Sequence, residues 1–134
     1  MTTTSTPIEI GQSRTTVVVE NLARTQIVQY AGASGDFNPL HTDEVYAREA
    51  AGYPTVFAHG MLTMGLVGRA VTDWVGEDRL LTYGARFTAQ VWPGDTLTAT
   101  VTVESVADGV AHLAVEARNQ DGATVLSGTA TARI

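Results

Sequence analysis

The feature that most restricts this chain is a period of two. Leu81, Tyr83, Ala85, Phe87, Ala89 and Val91 are apolar, and Thr82, Arg86, Thr88 and Gln90 lie between them. Such alternation sends one set of side chains to a core and the other to solvent, which predicts a half-buried strand. After the turn Pro93-Gly94-Asp95 the pattern returns as Leu97, Ala99, Val101 and Val103 against Thr98, Thr100, Thr102 and Glu104, and a hairpin is expected there. Asp108-Gly109 then leads to Ala111, Leu113, Val115 and Ala117, and Asp121-Gly122 to Leu126, Gly128, Ala130, Ala132 and Ile134. Asp-Gly suits tight hairpins because both central residues of a type I′ turn need positive φ. The expectation is a four-stranded meander, with Thr15 to Val19, rich in β-branched residues, as a fifth strand.

The first half has a different grammar. Asn21 is a candidate N-cap for a short helix carrying Ile27, Val28, Tyr30 and Ala31 and ending near Gly32. From His59 to Val75 the chain is almost free of charge, and Met61, Leu62, Met64, Leu66, Val67, Ala70, Val71, Trp74 and Val75 occupy all sides of a helix. A helix of that kind is expected to be buried nearly all round. Its length of roughly 25 Å at about 1.5 Å per residue is close to the width of five strands about 4.8 Å apart. A single antiparallel sheet of about five strands curled around one apolar helix is the hot-dog architecture, in the α+β class. Gly60, Gly65 and Gly68 each weaken that helix by up to about 1 kcal/mol, which predicts close approach of a backbone or a substrate.

Composition narrows the function. With 134 residues, 44% hydrophobic and 16% charged, one domain over 1–134 is expected, with residues 1–6, a Thr/Ser-rich start, frayed. No cysteine is present, so disulfides and thiolate chemistry are excluded. Fourteen acidic residues against eight basic ones make nucleic acid and anionic membranes poor partners. No leader pattern or membrane-spanning run is read, and the cytoplasm is the expected location. All eight basic residues are Arg, so any phosphate contact falls to Arg, with Arg48, Arg69 and Arg86 as candidates.

Chemistry concentrates between the two helices. On one continuous helix Asp36 and His41 would stand about 140° apart around the axis and could not cooperate. Pro39 forbids that helix and pushes Asn38 out of the α region, so both side chains can converge on a bend. A carboxylate beside an imidazole is a competent acid-base pair near neutral pH. Downstream, Ala58-His59-Gly60-Met61 opens the apolar helix, whose first N–H groups lack intrahelical partners. Gly60 would let an oxygen reach its N–H, and charge developing on that oxygen would be stabilised there. Taken singly, Asp36 reads as a turn residue, Asn38-Pro39 as a cap with Pro at the first helical position, and His41 as solvent-facing. Together they read as catalytic. His59 is expected to anchor the helix start, His112 to be exposed, and Met61, Met64 and Trp74 to be core. No metal site is expected, since His41, His59 and a carboxylate lack a recognised zinc spacing.

The run Ser34-Gly35-Asp36-x-Asn38-Pro39-Leu40-His41-x-Asp43, followed by Ala58-His59-Gly60-Met61, resembles the hydratase 2 motif of the MaoC-like hydratase/dehydratase family. That family includes (R)-specific enoyl-CoA hydratases and bacterial 3-hydroxyacyl-ACP dehydratases. The likeness is nearest to the mycobacterial dehydratases, which His59 to Gly65 and Thr72-x-Trp74-Val75-Gly76 also resemble. It implies reversible syn hydration of a trans-2-enoyl thioester to the (R)-3-hydroxyacyl thioester, on CoA or acyl carrier protein, without a cofactor. Asp36 and His41 would activate water and pass a proton at the α-carbon, Asn38 would position the loop, and the Gly60 N–H would bind the thioester carbonyl. Which of Asp36 and His41 is the acid stays open. A homodimer, or a heterodimer with a related hot-dog subunit, is implied as well. Two other readings stand beside this one: a non-catalytic acyl-binding or scaffold subunit, and a hot-dog thioesterase.

Overall fold

In the computed structural model, which describes residues 8–134, the chain forms one antiparallel sheet with a long helix against it. The strands are β1 (Ser13–Val19), β2 (Leu80–Phe87), β3 (Leu97–Ala107), β4 (Val110–Arg118) and β5 (Thr124–Arg133). The helices are α1 (Arg24–Ser34) and α2 (Gly60–Val75), with a 3-10 turn at Pro39–His41 and a π-helical turn at Tyr46–Ala50 between them. The strand order is β1-β3-β4-β5-β2. Helix α2 touches both edge strands as well as β3 and β5, so the sheet must curl around it. This is the α+β hot-dog arrangement expected above. The expected fraying of residues 1–6 falls outside the described residues.

The period of two was a sound guide to strands and a poor one to partners. In β3, Leu97, Ala99, Val101 and Val103 are buried, and in β4 so are Ala111, Leu113, Val115 and Ala117. The β3–β4 connection has the expected geometry, with positive φ at both Asp108 (55°) and Gly109 (75°). The β4–β5 connection is wider: Asn119 Oδ1 accepts from the N–H groups of both Asp121 and Ala123, each at 3.0 Å. The expected β2–β3 hairpin does not form. β2 pairs with β5 instead, with Tyr83 opposite Ala130 and Phe87 opposite Leu126. Three strand spacings, about 14 Å, separate β2 from β3, and the connection from 88 to 96 is long enough to cross them. Its Pro93-Gly94-Asp95 turn docks on the segment before α1, where Leu22 N donates to Asp95 O and Gly94 N to Leu22 O.

Further expectations, on β2 and on both helices, are corrected. β2 ends at Phe87, short of Ala89 and Val91, and a bulge at Leu81 leaves that residue exposed while Leu80 packs on the core. Helix α1 is capped by Ala23 rather than Asn21, which has φ 47° and donates its N–H to Thr96 Oγ1. The same helix runs through Gly32 and stops at Gly35, whose φ of 77° lets its N–H turn back to Ala31 O. Helix α2 is buried on one face only. Leu62, Val67, Val71 and Val75 meet the sheet, whereas Met61 is 57% exposed and Gly65, Arg69 and Asp73 continue that open stripe. An open five-stranded sheet can wrap a helix on one side but cannot enclose it.

Two of the α2 glycines are explained by close approach. A Cβ on Gly60 would lie 2.9 Å from the Phe87 ring, and one on Gly68 would lie 2.9 Å from the Tyr83 ring. Tyr83 also donates its hydroxyl to Met64 O at 2.8 Å, and burial raises its pKa to about 12. β2 thus presses two aromatic rings onto the helix where side chains are missing. Gly65 has open space around its Cα.

Candidate active site

The segment from Gly35 to His59 is built from irregular turns, each with a local cause. Three side chains cap the N–H two residues further on: Ser34 Oγ accepts from Asp36 N, Asp36 Oδ1 from Asn38 N, and Asn38 Oδ1 from Leu40 N. Short polar side chains prefer such bonds to helix formation. With Pro39 at the first position, the Asn38 cap starts the single 3-10 turn that ends at His41. The cap reading of Asn38-Pro39 is therefore true, and it is also the device that brings His41 round toward Asp36.

Asp36 is exposed while His41 is only 9% exposed. His41 Nδ1 lies 2.6 Å from Phe57 O, and since a carbonyl can only accept, Nδ1 carries the hydrogen. In the neutral ring Nε2 is then a bare acceptor. Phe57 N returns a bond to Leu40 O at 3.3 Å, so the 3-10 turn and the segment before α2 are tied together. The ligating atoms of Asp36, His41 and His59 all lie within 4.8 Å of one another. Separations within that bound are short enough for a single water with hydrogen bonds of about 2.8 Å to reach two of these groups.

His59 takes a place that the sequence did not disclose. It stands at the N-cap of α2, and its main-chain oxygen accepts from Leu62 and Thr63, but its side chain makes no capping bond. The ring instead stacks on His41, with centroids 3.8 Å apart and planes 25° from parallel, and its Nε2 lies 3.0 Å from Asp36 O. The hints in the sequence were its position next to Gly60 and its place in the Ala58-His59-Gly60-Met61 run, and neither disclosed the stacking on His41. The role of Phe57 O had no signal at all, because a backbone acceptor carries no residue preference.

The stacking also bears on metal binding. An ion bonded to both imidazoles must lie in both ring planes at about 2 Å from each nitrogen. Planes 25° from parallel with centroids 3.8 Å apart meet well beyond that reach. As arranged, the two imidazoles do not share one ion.

Gly60 begins α2 and lines a cleft of about 340 Å³ with Phe57, Phe87, Thr88, Ala89 and Gln90. Phe57 joins this cleft to the acid-base pair through the carbonyl that holds His41. Of the large apolar side chains on these segments, Phe37 is 68% exposed, and Met61, Val45 and Phe87 are exposed too. Met61 was expected in the core and is not there, whereas Met64 and Trp74 pack against it and His112 is exposed as expected.

Of the candidate phosphate-binding arginines, Arg48 is spent on Glu44 and on Pro54 O, and Arg69 faces Asp73 at 3.9 Å. Arg86 is exposed beside Phe87. Glu44 also pairs with Arg24 of α1, and hydrogen bonds from Thr55 and Arg24 lower its pKa below the ordinary carboxylate value. This cluster fastens α1 to the turns that carry His41.

A scan of known families matches residues 4–124 to the MaoC like domain. The chain belongs to the MaoC-like family. Among its relatives, 3-hydroxyacyl-thioester dehydratase Y of Mycobacterium tuberculosis is 41% identical over 71 residues, which are 51% of this chain and 24% of that protein. This chain thus matches about a quarter of that relative's length. The (R)-specific enoyl-CoA hydratase of Rhodospirillum rubrum is 34% identical over 97 residues, 71% of this chain and 67% of that one. Among solved structures, the (R)-hydratase from A. caviae involved in PHA biosynthesis superposes with a TM-score of 0.84 at 27% identity, covering 95% of this chain and 97% of that one. Among the described residues, no helix of this MaoC-like chain is long and apolar enough to cross a membrane.

Proposed function

We propose that this MaoC-like protein catalyses the reversible addition of water to a trans-2-enoyl thioester, giving the (R)-3-hydroxyacyl thioester, with the acyl group carried on CoA or an acyl carrier protein. The observation that carries this reading is the convergence of the Asp36 carboxylate and an imidazole nitrogen of His41 within 4.8 Å on a proline-enforced bend. Water held between them attacks C3 as one of the pair takes its proton. The pair returns a proton to C2 on the same face, so one water is added and no redox partner or cofactor is needed. Charge that gathers on the thioester oxygen is met by the N–H of Gly60 at the positive end of α2. Asn38 holds the bend in register. The relatives named above, one a dehydratase and two hydratases, support the same reaction in its two directions.

We also propose that the chain works in the cytoplasm as a pair, with a second copy or with a related hot-dog subunit. Among the described residues, two unpaired sheet edges, the open Met61–Asp73 stripe of α2 and the exposed Leu81 and Phe87 of edge strand β2 support the pairing.

The test is hydration of crotonyl-CoA, followed by loss of the enoyl absorbance. Asp36→Asn and His41→Ala are expected to lower turnover by about 10² or more, with circular dichroism and Tm close to the parent. A folded variant of either kind with parental turnover would overturn the assignment. Release of free CoA would mark a thioesterase instead. Activity gained only with a co-expressed partner would mark a subunit that is silent alone.

A further inference from the structure

We infer that His59 is a positioning residue for the Asp36–His41 pair, acting through its ring face and its Nε2–H and not as a helix cap. The inference rests on the hydratase reading above and adds to it the residue that holds the two catalytic groups in mutual register.

Three observations carry it. First, His59 is only 2% exposed and its side chain makes no bond to the α2 terminus that it heads, so the ring is not serving the helix. Second, one imidazole touches both members of the pair: its face lies on His41 at 3.8 Å, and its Nε2–H donates to the main-chain oxygen of Asp36 at 3.0 Å. His41 is thereby gripped on two sides, by Phe57 O at its Nδ1 edge and by the His59 face. Third, this tautomer leaves His59 Nδ1 as a buried lone pair with no partner among the described residues. A buried unpaired acceptor is destabilising. A site that needed only a buried flat ring would do better with Phe. The imidazole is therefore kept for the Nε2–H bond to Asp36.

The surroundings make the ring well suited to this task. Tyr30 of α1 packs on it at 4.8 Å, tilted by 60°, so His59 sits between the first helix and His41. A shift of His59 would move the imidazole of His41 and the main chain of Asp36 together. Misplacement by about 1 Å can cost a hundredfold in rate without harming binding. Because Gly60 and Phe57 line the cleft and His59 does not, the loss should fall on kcat.

The experiment compares His59→Ala, which loses ring and donor, with His59→Phe, which keeps the ring, and His59→Gln, which keeps a donor. The assay is crotonyl-CoA hydration, with Tm measured on each variant. His59→Ala is expected to lower kcat by roughly 10- to 100-fold with KM within about threefold, and the Phe and Gln variants are each expected to recover part of the loss. If His59→Ala does not fold, Phe and Gln measured against the parent carry the test, each with a smaller loss in kcat alone. The inference is overturned by a folded variant set with parental kcat, by a loss confined to KM, or by Phe and Gln performing no better than Ala. A second arm needs no substrate. Nitrogen NMR of the parent at mildly alkaline pH is expected to show His59 protonated at Nε2 and bare at Nδ1, with His41 protonated at Nδ1. A His59 found protonated at Nδ1 overturns this inference alone. A parent with both tautomers as stated but no turnover of enoyl thioesters removes the hydratase reading, and this inference with it.

Discussion

The β3–β4–β5 meander and the Gly35–His59 segment satisfy their backbone groups in opposite ways. In the meander, nearly every residue from Thr98 to Ala107 finds a partner on β4 by a rule that repeats every second residue. In the loop segment the bonds follow no period and depend on particular side chains, as in the Ser34, Asp36 and Asn38 series. Repetition spreads stability over many equivalent contacts, so no single residue of the sheet fixes a catalytic distance. The loop concentrates its geometry in a few residues, and each of them places a reacting group. Stability and chemistry should therefore separate on mutation.

The largest effect expected on the sheet side is that of Leu113→Ala. Leu113 is 1% exposed in the middle of β4, and its truncation should cost about 2–5 kcal/mol in chemical denaturation. Turnover of the folded fraction should stay within about twofold. A strong loss of kcat at unchanged stability would break the division. Asn38→Ala tests the loop side from the other direction. It removes the cap on Leu40 N, for about 1 kcal/mol of stability, yet it should lower kcat by about tenfold or more because His41 sits at the end of that turn. A fall in Tm with parental kcat would place Asn38 with the scaffold.

Tyr83 gives the smallest effect and sharpens the comparison, since it joins the sheet to the helix that the site uses. Tyr83→Phe forfeits the bond to Met64 O and should cost about 0.5–1 kcal/mol. Burial raises the folded pKa of Tyr83 to about 12 from an ordinary 10.0. The stabilisation by the neutral phenol is then fully present below pH 10 and lost as pH rises through about 12. Alkaline melting curves should show that loss in the parent and a weaker one in Tyr83→Phe. Equal curves would mean that the hydroxyl contributes nothing.

Much of this molecule could be read from residues alone, for identifiable reasons. The strands were legible because burial of one face imposes a period that a sequence displays directly. The bend was legible because Pro39 forbids a helix whatever surrounds it. Strand partners were not: β2 and β3 carry the same alternation, and nothing in either says that β5 and β4 will lie between them. The helix α2 was read as buried on every side because apolar residues encircle it, but burial depends on what is present to cover it. His59 and Phe57 O escaped for a related reason, since a stacked ring and a main-chain acceptor acquire their meaning only from their neighbours.

The sequence by itself determined where the chain alternates, where it must turn and which residue types could exchange a proton, because those follow from local sterics and from side-chain chemistry. Only the tertiary structure decided that β2 closes on β5, that α2 shows an open stripe and that His59 lies against His41. These depend on long-range packing, in which many apolar contacts of similar strength compete and the winner is set by how the whole sheet curls around one helix.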